Sequence, residues 1–272
     1  MRSSDHYYDK NNDASLVHFQ PLQIKRDLPH IARGSFGMVF KGHVEGTQDK
    51  VVIKDLEIQN DKSLDEWKKE VTVMVKNRSP YIAEIFGYAS EGTTLTIVME
   101  FFEYGDLFNV LHKKKDIHPL SVLQRLRMAR HCAYGLAFLH KNQVLHRDIK
   151  SLNVLVCKDY SCKLTDFGCA KLMNAADSLL LTVATGTPLW MAPEVKTGSV
   201  YSYPADVYSM GLVMYEIFER QIPGYDQQRG MVVLPPQFSS APLVLGCIHM
   251  IPHMRMTMEQ VVENLDDSIR RS

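Results

Sequence analysis

Two stretches near the middle of the chain set polar side chains between apolar ones. The first, VLHRDIKSLNVL, contains Asp148, Lys150 and Asn153, and the second, LTDFG, contains Asp166. Phosphoryl transfer needs a carboxylate near the attacking hydroxyl, oxygen ligands for Mg²⁺, and cations that offset the charge developing on the transferred group. These four side chains supply all three kinds of group, and burying them in a loop without such a role would be costly. The two stretches therefore predict a phosphoryl-transfer site.

Lys54 and Glu70 form a second candidate pair further upstream. Lys54 ends the apolar run Val51-Val-Ile, and Glu70 lies on a stretch whose apolar residues have helical spacing. Taken singly, each residue is more simply explained as a solvated surface group. Together they would place a carboxylate where it holds the lysine ammonium against phosphate oxygens.

The glycines of IARGSFGMV are a third, weaker indication. Gly34 and Gly37 would let backbone N–H groups approach phosphate oxygens without a Cβ in the way. For an isolated pair of this kind, a plain turn between strands is the better explanation. A Rossmann site is disfavoured, because a second strand pattern rather than a helix follows the glycines.

The elements that must position these residues in the first part of the chain form a sheet with one helix. Residues 22–53 alternate short β-branched and aromatic runs with glycine-containing turns, which predicts an antiparallel sheet. The segment Ser63-Leu-Asp-Glu66 is typical of a capping box and predicts a helix after it. Two more strands are predicted around 82–88 and 94–99, and the break at 103–106 marks the boundary between two lobes.

The second part of the chain is predicted to be mainly helical. Ser121-Val-Leu-Gln124 is another capping box, and a long stripe of apolar residues follows it at helical spacing. Residues 205–218 are apolar on nearly every side, interrupted chiefly by Asp206, Ser209 and Glu216. They predict a helix in the core.

The composition narrows the class of protein. Of the 272 residues, 45% are apolar and 23% charged, as in ordinary globular domains. Lysine plus arginine equals aspartate plus glutamate at 31 each, so no net positive field attracts nucleic acid. Five cysteines without a CxxC pair favour a reducing compartment over a disulfide framework or structural zinc. With neither a signal-peptide pattern nor an apolar run of membrane-span length, we expect a cytoplasmic protein.

From about residue 22 to about residue 265, the chain resembles the catalytic domain of the eukaryotic protein kinases. The motifs ARGSFGMV, VVIK, HRDIKSLN, DFG and WMAPE, with a late Arg255, follow in that family's order. The WMAPE form is similar to the tyrosine-kinase-like, mixed-lineage group. The resemblance implies an α+β, bilobal protein kinase fold, with a small antiparallel-sheet N-lobe carrying one main helix, a larger mainly helical C-lobe, and ATP in the cleft. The expected divisions are a mobile extension (1–19), the N-lobe (20–102), the C-lobe (103–268) and a tail (269–272).

The resemblance also implies roles for the residues that match the family's motifs. Asp148 would orient the acceptor hydroxyl and take its proton, and Lys150 would contact the transferring phosphoryl group. Lys54 would hold the α- and β-phosphates of ATP, with Glu70 holding Lys54.

Further positions follow from the same alignment with the family. Mg²⁺ would be bound by Asn153 and Asp166. The other expected ATP contacts are Ala32, Gly34, Ser35 and Gly37 in the glycine loop, Val39, Val52 and Leu155 around adenine, Met99 as gatekeeper, Glu100 and Phe102 at the adenine edge, and Asp106. Three structural features are also expected: an ion pair of Glu194 with Arg255, Asp206 as anchor of the catalytic loop, and an apolar column of Met74, Ile85, His146 and Phe167 that is equally well described as ordinary core.

The acceptor and the regulation are predicted from single residues. The residue types at Lys150 and Thr187 resemble those of serine/threonine kinases. This resemblance implies protein substrates with Ser or Thr acceptors, although dual specificity stays open. A segment with Ser178, Thr182 and Thr185 lies before Gly186, and phosphorylation there by an upstream kinase or by the protein itself would regulate activity through Arg147. For any one of these hydroxyls, a plain polar loop residue is an equally good explanation.

Three departures from the family leave alternatives open. Ala32 replaces the first loop glycine and Val52 the usual alanine over adenine, so both crowd the nucleotide. The segment from Pro223 to Pro235 is short for one that carries a docking helix. The main alternative is a pseudokinase that acts as a scaffold, which the presence of Lys54 and both aspartates disfavours. A small-molecule kinase is disfavoured by WMAPE and the late arginine.

Overall fold

The computed structural model describes residues 17–34, 37–172 and 188–272. Contacts divide the chain after Phe101 into two compact units. The first is rich in strands and the second in helices, which confirms the expected α+β class. None of the helices among the described residues is both long and apolar enough to cross a membrane.

The first unit is built on one six-stranded sheet. Its strands are β1 (Val17–His18), β2 (Ile24–Gly34), β3 (Gly37–Val44), β4 (Lys50–Glu57), β5 (Ile85–Glu91) and β6 (Thr94–Glu100), in the order β1-β5-β6-β4-β3-β2. All neighbours are antiparallel except β1, which runs parallel to β5. The strand expected from residue 82 thus begins at Ile85. Residues 17–18, expected in a mobile extension, pair with the sheet, while the rest of that extension up to residue 16 lies outside the described residues.

The helix of the first unit, α1 (Asp61–Lys76), begins earlier than the sequence pattern indicates. Its cap is Asn60, whose side chain accepts the Ser63 backbone N–H at 3.0 Å, and the Ser63 hydroxyl in turn accepts the Asn60 N–H. Ser63 is therefore the third residue of the helix and not its cap, because an asparagine three positions earlier offers the same capping geometry. The buried face of α1 includes Trp67, Val71 and Met74.

Among its described residues, the second unit has five α-helices. They are α2 (Val122–Lys141), α3 (Pro193–Lys196), α4 (Tyr203–Glu219), α5 (Ala241–Cys247) and α6 (Met258–Arg270). The predicted cap of α2 is confirmed, since the Ser121 hydroxyl accepts the Gln124 N–H at 3.1 Å. The predicted core helix is α4, which is buried from Ala205 to Phe218. A Cβ on Gly211 would lie 2.6 Å from that of Cys247, so α4 and α5 approach as closely as a glycine allows.

Short strands of the second unit support its loops. They are β7 (Gly105–Asp106), β8 (Val144–Leu145), β9 (Val154–Val156), β10 (Cys162–Leu164), β11 (Lys171–Leu172), β12 (Gly224–Asp226) and β13 (Met231–Val233). The last two form an antiparallel hairpin in the short segment after Pro223. A π-helical turn at Asn109–Lys113, which the sequence pattern did not indicate, follows β7.

Candidate active site

Lys54 and Glu70 form a tight ion pair within the first unit. The Lys54 Nζ lies 2.6 Å from Oε1 and 2.9 Å from Oε2 of Glu70. Their side chains are only 14% and 7% exposed, so water screens the pair weakly. Lys54 is fixed by β4, between β3 and β6, and Glu70 by the buried face of α1. The contact predicted from the sequence is present, and it holds the ammonium in one position.

The glycine turn between β2 and β3 has a packing reason of its own. Gly34 pairs with Gly37, and Ala32 pairs with Val39 in the same ladder. Gly37 has a φ of +142°, and a Cβ there would lie 1.8 Å from the carbonyl oxygen of Asp55. A glycine is therefore required for β3 to approach β4, whether or not the turn also binds phosphate. Ser35 lies outside the described residues.

The positions expected around adenine divide between the two units. In the first, Val39 and Val52 are half-buried on adjacent strands and Met99 is buried on β6. Glu100 follows Met99, and its backbone N–H donates to the Glu84 carbonyl at 3.0 Å.

In the second unit, the corresponding positions lie on β7, on β9 and just before them. Phe102 is buried, and Leu155 is half-buried on β9, where it pairs with Asp106. The Asp106 carboxylate accepts the backbone N–H of Asn109 at 2.8 Å and its side-chain amide at 2.5 Å. Asp106 thus binds the first residue of the π-helical turn.

The carboxylate of Asp148 receives two donors from the same loop. Oδ2 lies 2.6 Å from the Lys150 Nζ and 2.9 Å from the Asn153 Nδ2. The same Nδ2 donates to the Asp148 backbone carbonyl at 2.8 Å. With both amide hydrogens directed at Asp148, Oδ1 is the atom that Asn153 can offer to a cation. The loop therefore holds a carboxylate, an ammonium and an amide oxygen within one short segment.

Asp166 is tied to this loop through backbone contacts. The Thr165 N–H donates to the Asn153 carbonyl at 3.0 Å, and the Thr165 carbonyl accepts from Nε2 of His146 at 3.1 Å. Because a carbonyl only accepts, Nε2 carries the proton and Nδ1 accepts the Asp148 N–H at 3.4 Å. Asp166 itself has a φ of +66°, an uncommon conformation for a residue other than glycine. Such backbone strain is concentrated at functional sites.

Asp206 anchors the start of the loop, as the resemblance implied. Its Oδ2 accepts the His146 N–H and its Oδ1 the Arg147 N–H, each at 2.9 Å. The Tyr201 hydroxyl donates to Oδ1 at 2.8 Å, and the His140 ring lies 3.1 Å from Oδ2. Burial alone would raise the pKa of Asp206, but the hydrogen bond and charge of His140, together with smaller contributions from His146 and the Arg147 N–H, outweigh burial and lower it. The carboxylate stays ionised and holds the loop.

Glu216 is a second buried carboxylate that braces the loop, and no role was predicted for it. Its Oε2 accepts the Ser151 hydroxyl at 2.7 Å and lies 2.8 Å from the His112 Nε2, and its Oε1 accepts the Trp190 indole N–H at 2.6 Å. One indication was available: a carboxylate in an otherwise apolar helix must have partners. Ser209 precedes Glu216 by seven residues, so it lies on the same face of α4. Its hydroxyl donates to the Trp190 carbonyl at 2.7 Å.

Two further expected features are present. Arg255 forms a two-pronged ion pair with Glu194, at 2.7 Å and 2.8 Å, and also donates to the carbonyls of Pro204 and His249. All four residues of the expected apolar column are buried: Met74 and Ile85 in the first unit, His146 and Phe167 in the second. The His146 and Phe167 rings are in tilted contact, with centroids 5.0 Å apart.

The expected phosphorylation sites and the threonine expected to indicate the acceptor type fall on undescribed residues. Ser178, Thr182 and Thr185, with Gly186 and Thr187 after them, lie in the gap between residues 172 and 188.

Comparison with known proteins gives consistent results. A family model described as the protein kinase domain matches residues 26–265. The chain is 30% identical to the serine/threonine-protein kinase STY17 of Arabidopsis thaliana, over 88% of this chain and 44% of STY17. It is 30% identical to the probable serine/threonine-protein kinase drkA of Dictyostelium discoideum, over 97% of this chain and 43% of drkA.

A relative with a different printed specificity also matches. The dual specificity protein kinase shkB of Dictyostelium discoideum is 33% identical over 71% of this chain and 30% of shkB. In each of these three cases the aligned region spans less than half the length of the relative.

Proposed function

This chain belongs to the protein kinase family, and on that premise we propose that it transfers the γ-phosphoryl group of ATP to serine or threonine hydroxyls of other proteins. The observation that carries the proposal is the Asp148 carboxylate held by Lys150 and Asn153 in one loop. Each of these three positions carries a side chain able to perform the role expected in phosphoryl transfer, which disfavours a scaffold protein without catalytic activity.

The loop residues divide the work by their chemistry. Asp148 would accept a hydrogen bond from the substrate hydroxyl, orient it and take its proton as the oxygen attacks the γ-phosphorus. Lys150, 2.6 Å from that carboxylate, would place a positive charge beside the transferring group. The bond to the β-phosphate oxygen breaks as the new ester bond forms, and the β-phosphate leaves with the electron pair.

Asn153 and Asp166 fit a divalent cation by the type of their donor atoms, an amide oxygen and a carboxylate. When bound, Mg²⁺ would neutralise charge on the phosphates. Lys54 would contact the α- and β-phosphates, and Glu70, in ion-pair contact with it, would keep the ammonium from adopting other rotamers.

Three further proposals concern setting and specificity. Lys150 in the catalytic loop and the printed names of STY17 and drkA favour Ser and Thr acceptors, and the match to shkB makes dual specificity the second candidate. Phosphorylation at Ser178, Thr182 or Thr185, by an upstream kinase or by the protein itself, would regulate activity. A cytoplasmic setting is supported by the five free cysteines.

The test is transfer from labelled ATP in the presence of Mg²⁺, followed by identification of the labelled amino acid. Wild type should label Ser or Thr of a generic protein substrate, and Asp148→Asn should lose about 10³-fold or more of that rate. Asp49→Asn, the same substitution at an exposed position between β3 and β4, should match wild type. Label on Tyr as well would establish dual specificity. Absence of transfer by wild type, also after treatment with an activating kinase, would overturn the proposal.

A further inference from the structure

Residues just before the first long strand form a clip over the edge of the sheet. The N–H of Phe19 donates to the Tyr88 carbonyl at 2.8 Å, and Val17 and His18 pair in parallel with Gly87 and Tyr88. The Phe19 ring packs against one face of the sheet, on the core cluster that includes Ala89. We call residues 17–19 the clip. Because successive residues of an extended segment alternate, the side chains of His18 and Phe19 lie on opposite faces of the sheet at the β5 edge.

On the other face, the clip reaches the helix through one aromatic ring. His18 stacks on Tyr88 with ring centroids 4.8 Å apart. Tyr88 meets Trp67 edge-on at 5.8 Å, and Trp67 is only 1% exposed on α1. Glu70 lies three residues beyond Trp67, so both residues project from the same side of the helix.

The sheet is shaped to receive the clip. A Cβ on Gly87 would lie 2.1 Å from the Val17 carbonyl oxygen and 2.6 Å from the Phe19 ring. The φ of Gly87 is not positive, so its backbone conformation does not require a glycine. The close approach of residues 17–19 is therefore the reason that a side chain is excluded here.

We propose that residues 17–19 are a positioning segment that sets α1, and through it Glu70 on Lys54. Bound to β5, the clip buttresses Tyr88 from behind, Tyr88 fixes Trp67, and Trp67 fixes the turn of α1 that carries Glu70. With the clip displaced, Tyr88 loses its stacking partner and α1 loses a rigid support. For its effect on phosphoryl transfer the inference rests on the proposed function, and for its effect on α1 it does not.

Gly87→Ala in the full chain tests this without removing any contacting side chain. Loss of one backbone hydrogen bond and one aromatic pair should accelerate hydrogen exchange of the α1 amides roughly tenfold. Gly92→Ala is the matched control, because it follows the same strand, has a φ of +58°, and meets nothing within 4 Å. This substitution strains the backbone without contacting residues 17–19. Once any change in the free energy of unfolding is taken into account, it should leave the hydrogen exchange of the α1 amides unchanged. His18→Ala and Phe19→Ala give the same readout should Gly87→Ala fail to fold.

A double-mutant cycle separates positioning from general destabilisation. Introduced into the wild-type chain, Gly87→Ala should lower kcat/KM for ATP roughly tenfold. Introduced into the Glu70→Gln variant, it should have little further effect, because the ion pair of Glu70 with Lys54 is already lost. A purely structural role would give additive losses in both backgrounds and would overturn the proposal, as would α1 exchange identical in Gly87→Ala, Gly92→Ala and wild type. Failure of wild type to transfer phosphate would count against the proposed function alone, since the exchange experiment needs no activity.

Discussion

The Asp206 carboxylate accepts the backbone N–H of Arg147 at 2.9 Å, so a side chain of α4 fixes the residue directly before Asp148. Arg147 has a φ of +69°, an uncommon value for its type. The hydrogen bonds of Asp206 thus hold a conformation that the chain would otherwise leave.

We expect Asp206→Asn to destabilise the protein by about 1–3 kcal/mol at neutral pH, because an amide cannot accept from all of these donors. The pKa of Asp206 is lowered in the folded protein, so its contribution is complete above the ordinary aspartate pKa. It declines as pH falls toward the lowered value. Urea unfolding at several pH values should therefore show wild type and Asp206→Asn converging below about pH 4. Asp49→Asn is the control, and a difference independent of pH would contradict the assignment.

Tyr201 should govern part of the alkaline limit of stability. Burial, followed by the charge and hydrogen bond of Asp206, raises its pKa well above the ordinary tyrosine value. A raised folded pKa means that the contribution is complete below about pH 10 and declines above it. Tyr201→Phe should cost about 1 kcal/mol at neutral pH and show a shallower decline in alkali. Tyr225→Phe, at an exposed ring, is the comparison, and equal alkaline profiles for all three proteins would refute the prediction.

The Glu194–Arg255 pair should be sensitive to geometry as well as to charge. Lysine keeps the charge of Arg255 but cannot make the two-pronged contact or reach both carbonyls. We expect Arg255→Lys to lower the free energy of unfolding by about 2–3 kcal/mol in denaturant titrations. Because the Arg255 side chain is fully buried, the loss should be nearly the same in 1 M salt. Arg229→Lys, with an exposed side chain, should have no measurable effect.

Glu216→Gln offers a local optical readout. The amide would leave one of Ser151, His112 and Trp190 without an acceptor, at a cost of about 1–3 kcal/mol. Fluorescence of Trp190 should shift, and Trp67→Phe in the background removes the other tryptophan signal. Glu263→Gln, on the exposed side of α6, is the control. Unchanged emission and stability in Glu216→Gln would show that the contacts are not formed in solution.

Val52→Ala tests whether this position crowds the nucleotide. The side chain is half-buried on β4, between its partners on β3 and β6. If it presses on adenine, removing two methyl groups should lower the KM for ATP by a few-fold, the equivalent of about 1 kcal/mol of relieved overpacking. A raised KM would show that Val52 packs favourably against the base. Val233→Ala, at an exposed strand position, should leave KM unchanged.

Sequence reasoning predicted the elements with strong local patterns and missed those set by distant contacts. The cap at Ser121 and the core helix were predictable because capping and periodicity are local. The start of α1 was misplaced because Asn60 and Ser63 both match a capping pattern, and only tertiary packing decides between them. The hairpin from Gly224 to Val233 has no strong turn pattern.

In the candidate site, polar types and their order predicted which residues belong together but not what supports them. Lys54 and Glu70 were expected to pair, and they do. The bracing by Glu216 joins residues more than a hundred positions apart, and nothing local encodes such a contact. The clip at 17–19 was hidden for a similar reason, because its polar surroundings resemble a tail and its partner is a glycine.

Helix α4 carries Asp206, Ser209 and Glu216 into a core where each side chain has partners on other segments, and its glycine at 211 touches α5. Few single substitutions in such a helix will therefore be tolerated. An apolar replacement at a polar position leaves buried hydrogen-bonding groups on other segments without partners. A polar replacement at an apolar position buries a polar group that has no partner itself. In a library of all single substitutions, α4 should therefore tolerate change as poorly at its polar positions as at its apolar ones. Exposed positions of α6, such as Glu263, should accept nearly any residue except proline.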